Sequence, residues 1–295
     1  MPPRHAALAL TVAVVWGVNF VVIDVGLDRM PPLLFAALRF AAVALLGVAF
    51  VGRPRIGWKW VLAIGTFLSA GQFGPLFVAL DNGLPAGLAS LLIQLQALFT
   101  IALAVLFLGE RLKPAQVAGA GVALLGLAVI ATGRAETVPL GAVMLCVCAA
   151  LSWGVGNVLT RMAQAPDAKA LLVWSSFVPP LPLAALSFAL EEPSSLTLDA
   201  AAVLSLAFVV VVSTGFGFGV WAWLLGRHSA SRVAPFALLV PVVGMASGWV
   251  ALGERPNAAE WAGAALVLVG LVVTVAAVTR RRRGFREASD LVHKP

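Results

Sequence analysis

The sequence contains few charged side chains and lacks one common residue entirely. Only 11% of its 295 residues are Asp, Glu, Lys or Arg, and tyrosine is absent. Charge this sparse lies far below the level of a soluble globular chain, so water is not the main solvent of this protein. The composition therefore excludes an ordinary water-soluble domain.

Residues that usually carry catalysis or bind metals are also rare. The three histidines, His5, His228 and His293, fall in tails or a loop. Cys146 and Cys148 are two positions apart in an apolar run and point to different helix faces, which disfavours a disulfide. The sequence shows neither a zinc-ligand spacing nor a phosphate-binding loop. We therefore predict that the protein is not an enzyme and needs no cofactor and no metal.

Apolar residues make up 61% of the chain. Runs of about 20 apolar residues without strict alternation favour membrane-spanning helices, because lipid offers the backbone no hydrogen-bond partners. The breaks between these runs predict an all-α integral membrane protein with ten transmembrane helices. The predicted spans lie near residues 5–25, 32–51, 59–80, 86–107, 115–132, 138–161, 170–190, 200–224, 231–251 and 258–278. Their connections are short, so any function is expected within the helix bundle.

Basic residues predict the orientation of the spans. With the N-terminus inside, sixteen Lys and Arg residues fall in inner segments and three, Arg29, Arg134 and Arg255, in outer loops. This asymmetry places both termini on the cytoplasmic side. The arginine-rich tail, residues 280–295, is expected to contact membrane lipid rather than nucleic acid.

An internal repeat relates the two halves of the chain. Gly109-Glu110-Arg111 returns as Gly253-Glu254-Arg255, and the first span's Trp16-Gly17-Val18-Asn19 has a partner in Trp153-Gly154-Val155-Gly156-Asn157. Downstream of the first pair of motifs, the matched residues are Gly119 with Gly263, Gly126 with Gly270 and Leu127 with Leu271.

The repeat has consequences for topology. Each half holds five predicted spans, an odd number, so the halves must insert in opposite orientations. Inverted repeats are typical of secondary transporters, in which a site near the midplane is exposed alternately to either side. We predict one five-helix repeat over residues 1–134, a second over residues 135–279, and the basic tail at 280–295.

Several motifs together resemble a known family. They are Trp16-Gly17-Val18-Asn19-Phe20, Met30-Pro31-Pro32, Leu38-Arg39-Phe40, Gln72-Phe73, Pro85 to Ser90, Gln94-Leu95-Gln96-Ala97, Gly109-Glu110-Arg111, Trp153, Gly156-Asn157, Val233-Ala234-Pro235 and Leu239 to Gly244. In order and spacing they resemble the drug/metabolite transporter superfamily, in its EamA branch of ten-span exporters. Within that branch the chain is similar to bacterial inner-membrane exporters of O-acetylserine and cysteine.

The resemblance implies export of small amino-acid metabolites from the cytoplasm, across the inner (plasma) membrane and without ATP. One departure concerns the eighth span, where the family commonly has a tyrosine between two glycines. Here Phe218 lies between Gly217 and Gly219, so a hydroxyl that could contact a polar substrate is missing.

Arg39 is the one basic residue left out of the inner and outer counts, because it lies inside the predicted second span. Its guanidinium could bind a substrate carboxylate in bidentate fashion. Alternatively, it could extend to the membrane interface, or pair with Asp24 or Asp28 and hold the first two helices together. An unpaired charge at that depth costs about 2.5–3.5 kcal/mol on insertion scales, so we expect a partner.

The remaining candidate substrate-binding residues are amides, aromatic rings and one proline. Intramembrane amides can bind a zwitterion, although hydrogen bonds between helices explain any single amide as well. The two matched tryptophans could line a cavity from opposite sides or pack as core, and the proline could free a backbone carbonyl. These candidates are Trp16, Asn19, Gln72, Gln94, Gln96, Trp153, Asn157, Phe218 and Pro241.

The sequence therefore favours a secondary transporter that exports O-acetylserine, cysteine or related amino acids by alternating access. The alternatives are an exporter of another drug-like, aromatic or lipid-like small molecule, or a non-transporting membrane sensor. The expected partners are a small-molecule substrate and membrane lipid, and a homodimer stays open.

Overall fold

The computed structural model describes residues 1–109, 114–134, 138–192, 196–228, 233 and 236–273. Within these ranges every regular element is a helix. The helical stretches are α1 (Pro3–Leu27), α2 (Pro32–Phe50), α3 (Trp58–Asp81), α4 (Ala86–Leu108), α5 (Pro114–Arg134), α6 (Leu140–Ala163), α7 (Ala168–Leu190), α8 (Ala200–Leu225), α9 (Val240–Leu252) and α10 (Ala258–Val273).

Seven of these helices, α1 to α4 and α6 to α8, are long and apolar enough to cross a membrane. Three shorter apolar stretches, Pro114–Ile130 in α5, Val240–Leu252 and Ala258–Val273, overlap the predicted fifth, ninth and tenth spans. Helix α9 begins at Val240 after a turn at residues 238 and 239, and the described residues before that turn, 233, 236 and 237, are helical as well. An all-helical protein with several membrane spans is thus confirmed, whereas a total of ten spans stays a prediction.

The helix ends follow from local sequence. Proline occupies the first turn of α1 and α2, where its missing N–H costs no helical hydrogen bond. At their C-terminal ends, α4 and α9 stop at Gly109 and Gly253, whose φ angles of 65° and 69° suit glycine better than any other residue. These are the glycines of the two Gly-Glu-Arg motifs, so both copies end a helix in the same way. Glu110 and Arg111 lie outside the described residues.

Contacts between helices repeat with the same symmetry as the sequence. A methyl group added to Gly17 in α1 would lie 2.5 Å from Val243 Cβ in α9, and one added to Gly154 in α6 would lie 2.8 Å from Phe99 Cβ in α4. Gly17 and Gly154 belong to the matched Trp-Gly pairs. Phe99 and Val243 are 144 positions apart (243 minus 99), as are the two Gly-Glu-Arg motifs (253 minus 109). The α1–α9 and α4–α6 contacts are therefore symmetry equivalents.

Helices α5 and α10 cross through four glycines that the repeat pairs. A methyl group on Gly126 would lie 2.6 Å from the carbonyl oxygen of Gly263, and one on Gly270 would lie 2.5 Å from that of Gly119. Small residues let membrane helices approach to backbone contact, where van der Waals packing is strongest. The repeat matches Gly126 with Gly270 and Gly119 with Gly263. It therefore converts the Gly126–Gly263 contact into the Gly270–Gly119 contact, and the crossing is symmetric.

Both halves also carry a π-helical segment at the same place. Residues Gly65–Ala70 in α3 and Phe208–Phe218 in α8 are wound as π-helix. Each segment lies inside the third helix of its half, α3 and α8 respectively. Single π-helical turns are rare and occur frequently at functional sites. We call Phe208–Phe218 the α8 π-segment.

One carboxylate joins the halves directly. Glu254, in the turn after α9, accepts hydrogen bonds from the backbone N–H groups of Ala86 over 2.6 Å and Gly87 over 3.0 Å. These are the first residues of α4, whose unpaired N–H groups and dipole favour a negative charge. The second Gly-Glu-Arg turn of the chain thus caps a helix of the first half.

A second carboxylate connects loops at the end of α1. Asp199 caps the start of α8 through the backbone N–H of Ala202, and it forms an ion pair with Arg29 over 3.0 Å. The Ala202 hydrogen bond and the Arg29 guanidinium hold the pKa of the Asp199 carboxyl below its usual value, although desolvation opposes them. The connection between α1 and α2 is in this way tied to the second half.

Candidate functional site

The side chain of Arg39, in α2, is buried within the bundle and is 2% exposed. Its Nη2 donates a hydrogen bond to Thr214 Oγ1 in the α8 π-segment over 3.1 Å. Its Cζ lies 3.9 Å from the ring centroid of Phe73 in α3 and 5.3 Å from that of Phe40. Nε and Nη1 have no hydrogen-bond partner among the described residues. Arg39 is therefore a buried cation that contacts one hydroxyl and two ring faces, with part of its donor capacity unused.

This geometry excludes two of the interpretations of Arg39 that the sequence left open. The guanidinium extends between α3 and α8 instead of reaching the interface, so the snorkelling alternative is wrong. The proposed ion pair with Asp24 or Asp28 is wrong as well, because the partner of Arg39 is the neutral Thr214 hydroxyl. An interior cation without a counter-ion is costly, which is the situation in which a ligand of opposite charge binds most favourably.

The α8 π-segment also holds the first-span tryptophan. Trp16 Nε1 donates to the carbonyl oxygen of Ser213 over 3.1 Å, directly before Thr214. Its ring lies 5.0 Å from Phe218 and 5.2 Å from Trp221, centroid to centroid. The π-segment therefore brings Trp16, Arg39 and Phe218 to one place.

Two further candidates, Asn19 and Gln72, are sequence neighbours of residues that contact the π-segment or Arg39. Asn19 is one helical turn beyond Trp16 in α1 and is 7% exposed, with its Oδ1 buried and unpartnered among the described residues. Gln72 precedes Phe73 in α3 and is 5% exposed. Both α1 and α2 pack against the α8 π-segment.

Two of the predicted amides form a separate cluster. Asn157 in α6 donates through Nδ2 to Gln96 Oε1 over 2.8 Å and to Thr100 Oγ1 over 3.0 Å. The Thr100 hydroxyl in turn donates to the Gln96 carbonyl oxygen over 2.7 Å. These residues join α4 to α6, and we call Gln96, Thr100 and Asn157 the amide cluster. Here each amide finds a partner in the protein itself.

The remaining candidates have structural contacts. Pro241 lies in the first turn of α9, so it cannot donate to the carbonyl of Ala237 four residues earlier. Gln94 Nε2 donates to that carbonyl over 3.4 Å, a long bond. The proline does free a carbonyl, and a side chain occupies it. Trp153, half-buried in α6, packs against the main apolar core.

A cavity of about 440 Å³ opens between the α1–α2 connection and the ends of α3 and α7. Its polar lining includes Asp28, Arg29, Asp81 and Glu191, and it contains none of the ten predicted site residues. Among the described residues, no group of three or more His, Cys, Asp or Glu side chains is placed to hold a metal ion.

Sequence reasoning missed Phe73 and Thr214, the two residues that contact Arg39 from other helices. The available signal was weak. Thr214 is part of a Ser-Thr pair within an apolar run, and Phe73 adjoins the candidate Gln72.

Comparison with known proteins assigns the chain to a family. A family model described as the EamA-like transporter family matches residues 4–132 and again residues 140–276. The chain belongs to this family. The two matches follow the internal repeat, and they identify a multi-pass membrane transporter, not an enzyme.

Individual relatives match over almost their full length. A "probable amino-acid metabolite efflux pump" of Salmonella typhimurium is 43% identical over 96% of this chain and 98% of its own length. The Escherichia coli protein of the same description is 40% identical over 93% and 96%. A "probable terminal-alkyne amino-acid exporter" of Streptantibioticus cattleyicolor is 33% identical over 94% and 95%. One crystal structure, 24% identical, shares the fold with a TM-score of 0.65 over 96% of this chain and 99% of that one.

Proposed function

We propose that this EamA-family protein exports small amino-acid metabolites, such as O-acetylserine or cysteine, by alternating access. The observation that carries the proposal is the buried Arg39 guanidinium with unpartnered Nε and Nη1. The relatives described as efflux pumps and exporters of amino-acid compounds support the same class of substrate.

The physical argument begins with the charge of Arg39. A guanidinium stays protonated in proteins and can only donate hydrogen bonds, so its natural ligand is an anion. A substrate carboxylate would supply both the missing counter-charge and acceptors for the unused N–H groups. Hydrogen bonds to charged groups contribute about 1.5–3 kcal/mol each, enough to make the carboxylate decisive for binding.

The other end of an amino acid needs an acceptor. The buried Oδ1 of Asn19 is such an acceptor, and its helix packs against the same π-segment that holds Arg39. A ligand with a carboxylate and an ammonium group would satisfy unused donors on one helix and an unused acceptor on another. Trp16 and Phe218 supply apolar surface for a small side chain in this proposal.

The proposal extends to topology. Ten spans arranged as inverted repeats over residues 1–134 and 135–279, with both termini in the cytoplasm of an inner-membrane protein, agree with the basic-residue asymmetry. The amide cluster and the Gln94–Ala237 contact then serve as interhelical bonds within the transport domain.

The proposal is tested by counterflow in proteoliposomes that hold the purified protein. Unlabelled solutes of several classes are preloaded inside, and uptake of labelled cysteine or O-acetylserine is followed. Accumulation driven by small amino acids supports the proposal. Accumulation driven only by aromatic or lipid-like solutes, or none at all with folded protein, contradicts it.

A further inference from the structure

The contacts of Thr214 show a hydroxyl with a defined direction. Thr214 is 3% exposed, and its Oγ1 donates to the carbonyl oxygen of Val209 over 2.8 Å. A threonine hydroxyl has one proton, so this bond uses its donor capacity, and toward Arg39 it can only accept. Arg39 Nη2 lies 3.1 Å from it. The hydroxyl is thus held as an acceptor aimed at the guanidinium.

The π-helical winding of α8 is what makes this arrangement. In an α-helix, a threonine hydroxyl bonds the carbonyl three or four residues back. Thr214 bonds the carbonyl five residues back, because the wider turn of the π-segment shifts the acceptor by one position. An α-helical α8 would direct residue 214 differently with respect to α2.

Thr214 and Phe73 together restrain Arg39 without neutralising it. The hydroxyl fixes the position of Nη2, and the Phe73 ring, 3.9 Å from Cζ, contacts the guanidinium through a π-face. Neither partner carries a charge. The positive charge, Nε and Nη1 therefore stay available, which an acidic partner in place of Thr214 would prevent.

We propose that Thr214 is a positioning residue that sets the selectivity of transport for carboxylate-bearing substrates. It acts through Arg39, by holding Nη2 so that the other N–H groups face the substrate carboxylate. This inference rests on the proposed function and adds to it the residue that determines its specificity.

The test compares an amino acid with its carboxamide, which keeps the ammonium group and loses the carboxylate charge. In proteoliposome counterflow, serine and serinamide compete with labelled cysteine, and the ratio of their half-inhibitory concentrations measures carboxylate selectivity. Thr214→Val, which is nearly isosteric, is expected to reduce this ratio roughly three- to tenfold, the effect of one lost hydrogen bond. Thr214→Ser, which keeps the hydroxyl, is expected to restore it to within about twofold.

Thr11→Val is the matched control. Thr11 also donates its hydroxyl to a carbonyl of its own helix, Ala7 over 3.0 Å, but it is exposed. Its replacement should leave the ratio unchanged. Gel filtration of each variant verifies that it is folded before it is reconstituted.

The outcomes separate this inference from the function on which it rests. A wild-type protein that does not prefer serine to serinamide overturns the proposed function, and the role of Thr214 with it. A wild-type preference that Thr214→Val retains overturns the role of Thr214 alone. Equal losses in Thr214→Val and Thr214→Ser would indicate altered packing and would also overturn it.

Discussion

The surroundings of Arg39 and the amide cluster use intramembrane polar groups in opposite ways. Around Arg39, one nitrogen of the guanidinium is bonded and two are not. In the amide cluster, Asn157 bonds both Gln96 and Thr100, and Thr100 bonds the Gln96 backbone. The first arrangement leaves buried donors for a ligand, while in the second each amide is already bonded to the other across two helices.

The difference follows from the chemistry of the side chains. An amide carries both donors and an acceptor, so two amides can satisfy each other between helices. A guanidinium carries donors alone and needs acceptors from elsewhere. We therefore expect changes at Arg39 to alter transport, whereas changes at satisfied contacts alter stability first.

The largest effect should follow from Arg39→Ala. Losing hydrogen bonds to a charged group, at about 1.5–3 kcal/mol, corresponds to a roughly 10- to 150-fold loss of substrate affinity. Stability should hold or rise, because an uncompensated buried charge is removed. Counterflow and thermal unfolding in detergent measure the two effects, with Arg55→Ala, in the exposed connection between α2 and α3, as control. Wild-type transport by Arg39→Ala would show that the unpartnered donors of Arg39 do not bind substrate.

The next largest effect should come from the α5–α10 crossing, where glycines allow the two helices to pack in backbone contact. Gly126→Ala places a methyl group 2.6 Å from a backbone oxygen and 2.7 Å from Val267 N, where no side chain can move aside. We expect a loss of about 1–3 kcal/mol in the free energy of unfolding.

Gly121→Ala, in the same helix, is the control for this substitution. An added methyl group there meets nothing within 4 Å, so stability should be unchanged or slightly higher. Equal melting temperatures for the Gly126 and Gly121 variants would show that the glycine crossing does not hold the halves together.

Glu254→Ala should have a somewhat smaller effect, since it removes a helix cap that joins the two halves. Loss of a capping side chain costs about 0.5–2 kcal/mol. Asp167→Ala provides the comparison, because Asp167 caps α7 from within its own half, accepting from Lys169 and Ala170.

Both cap variants should melt at lower temperature than the wild type. Limited proteolysis should show easier separation of the halves for Glu254→Ala alone. Equal proteolysis of both variants would contradict the bridging role of Glu254.

The smallest effect is expected in the amide cluster. A double-mutant cycle of Gln96→Leu and Asn157→Leu should give a coupling energy of about 0.6 kcal/mol, the average for hydrogen bonds between membrane helices. Carboxylate selectivity should be the same in all members of the cycle. A single substitution that lowers this selectivity as strongly as a change at Arg39 would place the amide cluster in the binding site. The amide cluster and the surroundings of Arg39 would then not differ in function.

The helix positions were predictable because they depend on local sequence. Apolar runs determine which segments can lie in lipid, and proline and glycine determine where they begin and end. The repeat was equally visible, since Gly109 and Gly253 end their helices in the same backbone conformation. The turn at residues 238 and 239, inside the predicted ninth span, was not predicted, because apolar composition alone does not reveal where a turn interrupts a helix.

The candidate site was predictable in part. Arg39 was recognisable as a functional candidate because a charge inside the membrane is costly and usually has a functional role. The partners of Arg39 could not be predicted. Thr214 is 175 positions away and is oriented by a π-helical segment that no residue pattern in the sequence predicts. Gln96 and Asn157 were recognisable from the sequence as intramembrane amides, but their bond to each other depends on the packing of α4 on α6.

The sequence by itself determined the solvent of this protein, its helices and its twofold internal repeat, because each depends on composition or on short-range spacing. Only the tertiary structure decided which polar groups satisfy one another and which do not. It connects Glu254 to a helix that begins 168 positions earlier, and it leaves Arg39 with unpartnered donors. The physical reason is that hydrogen bonds form between neighbours in space, and the neighbours of an interior side chain belong to other helices.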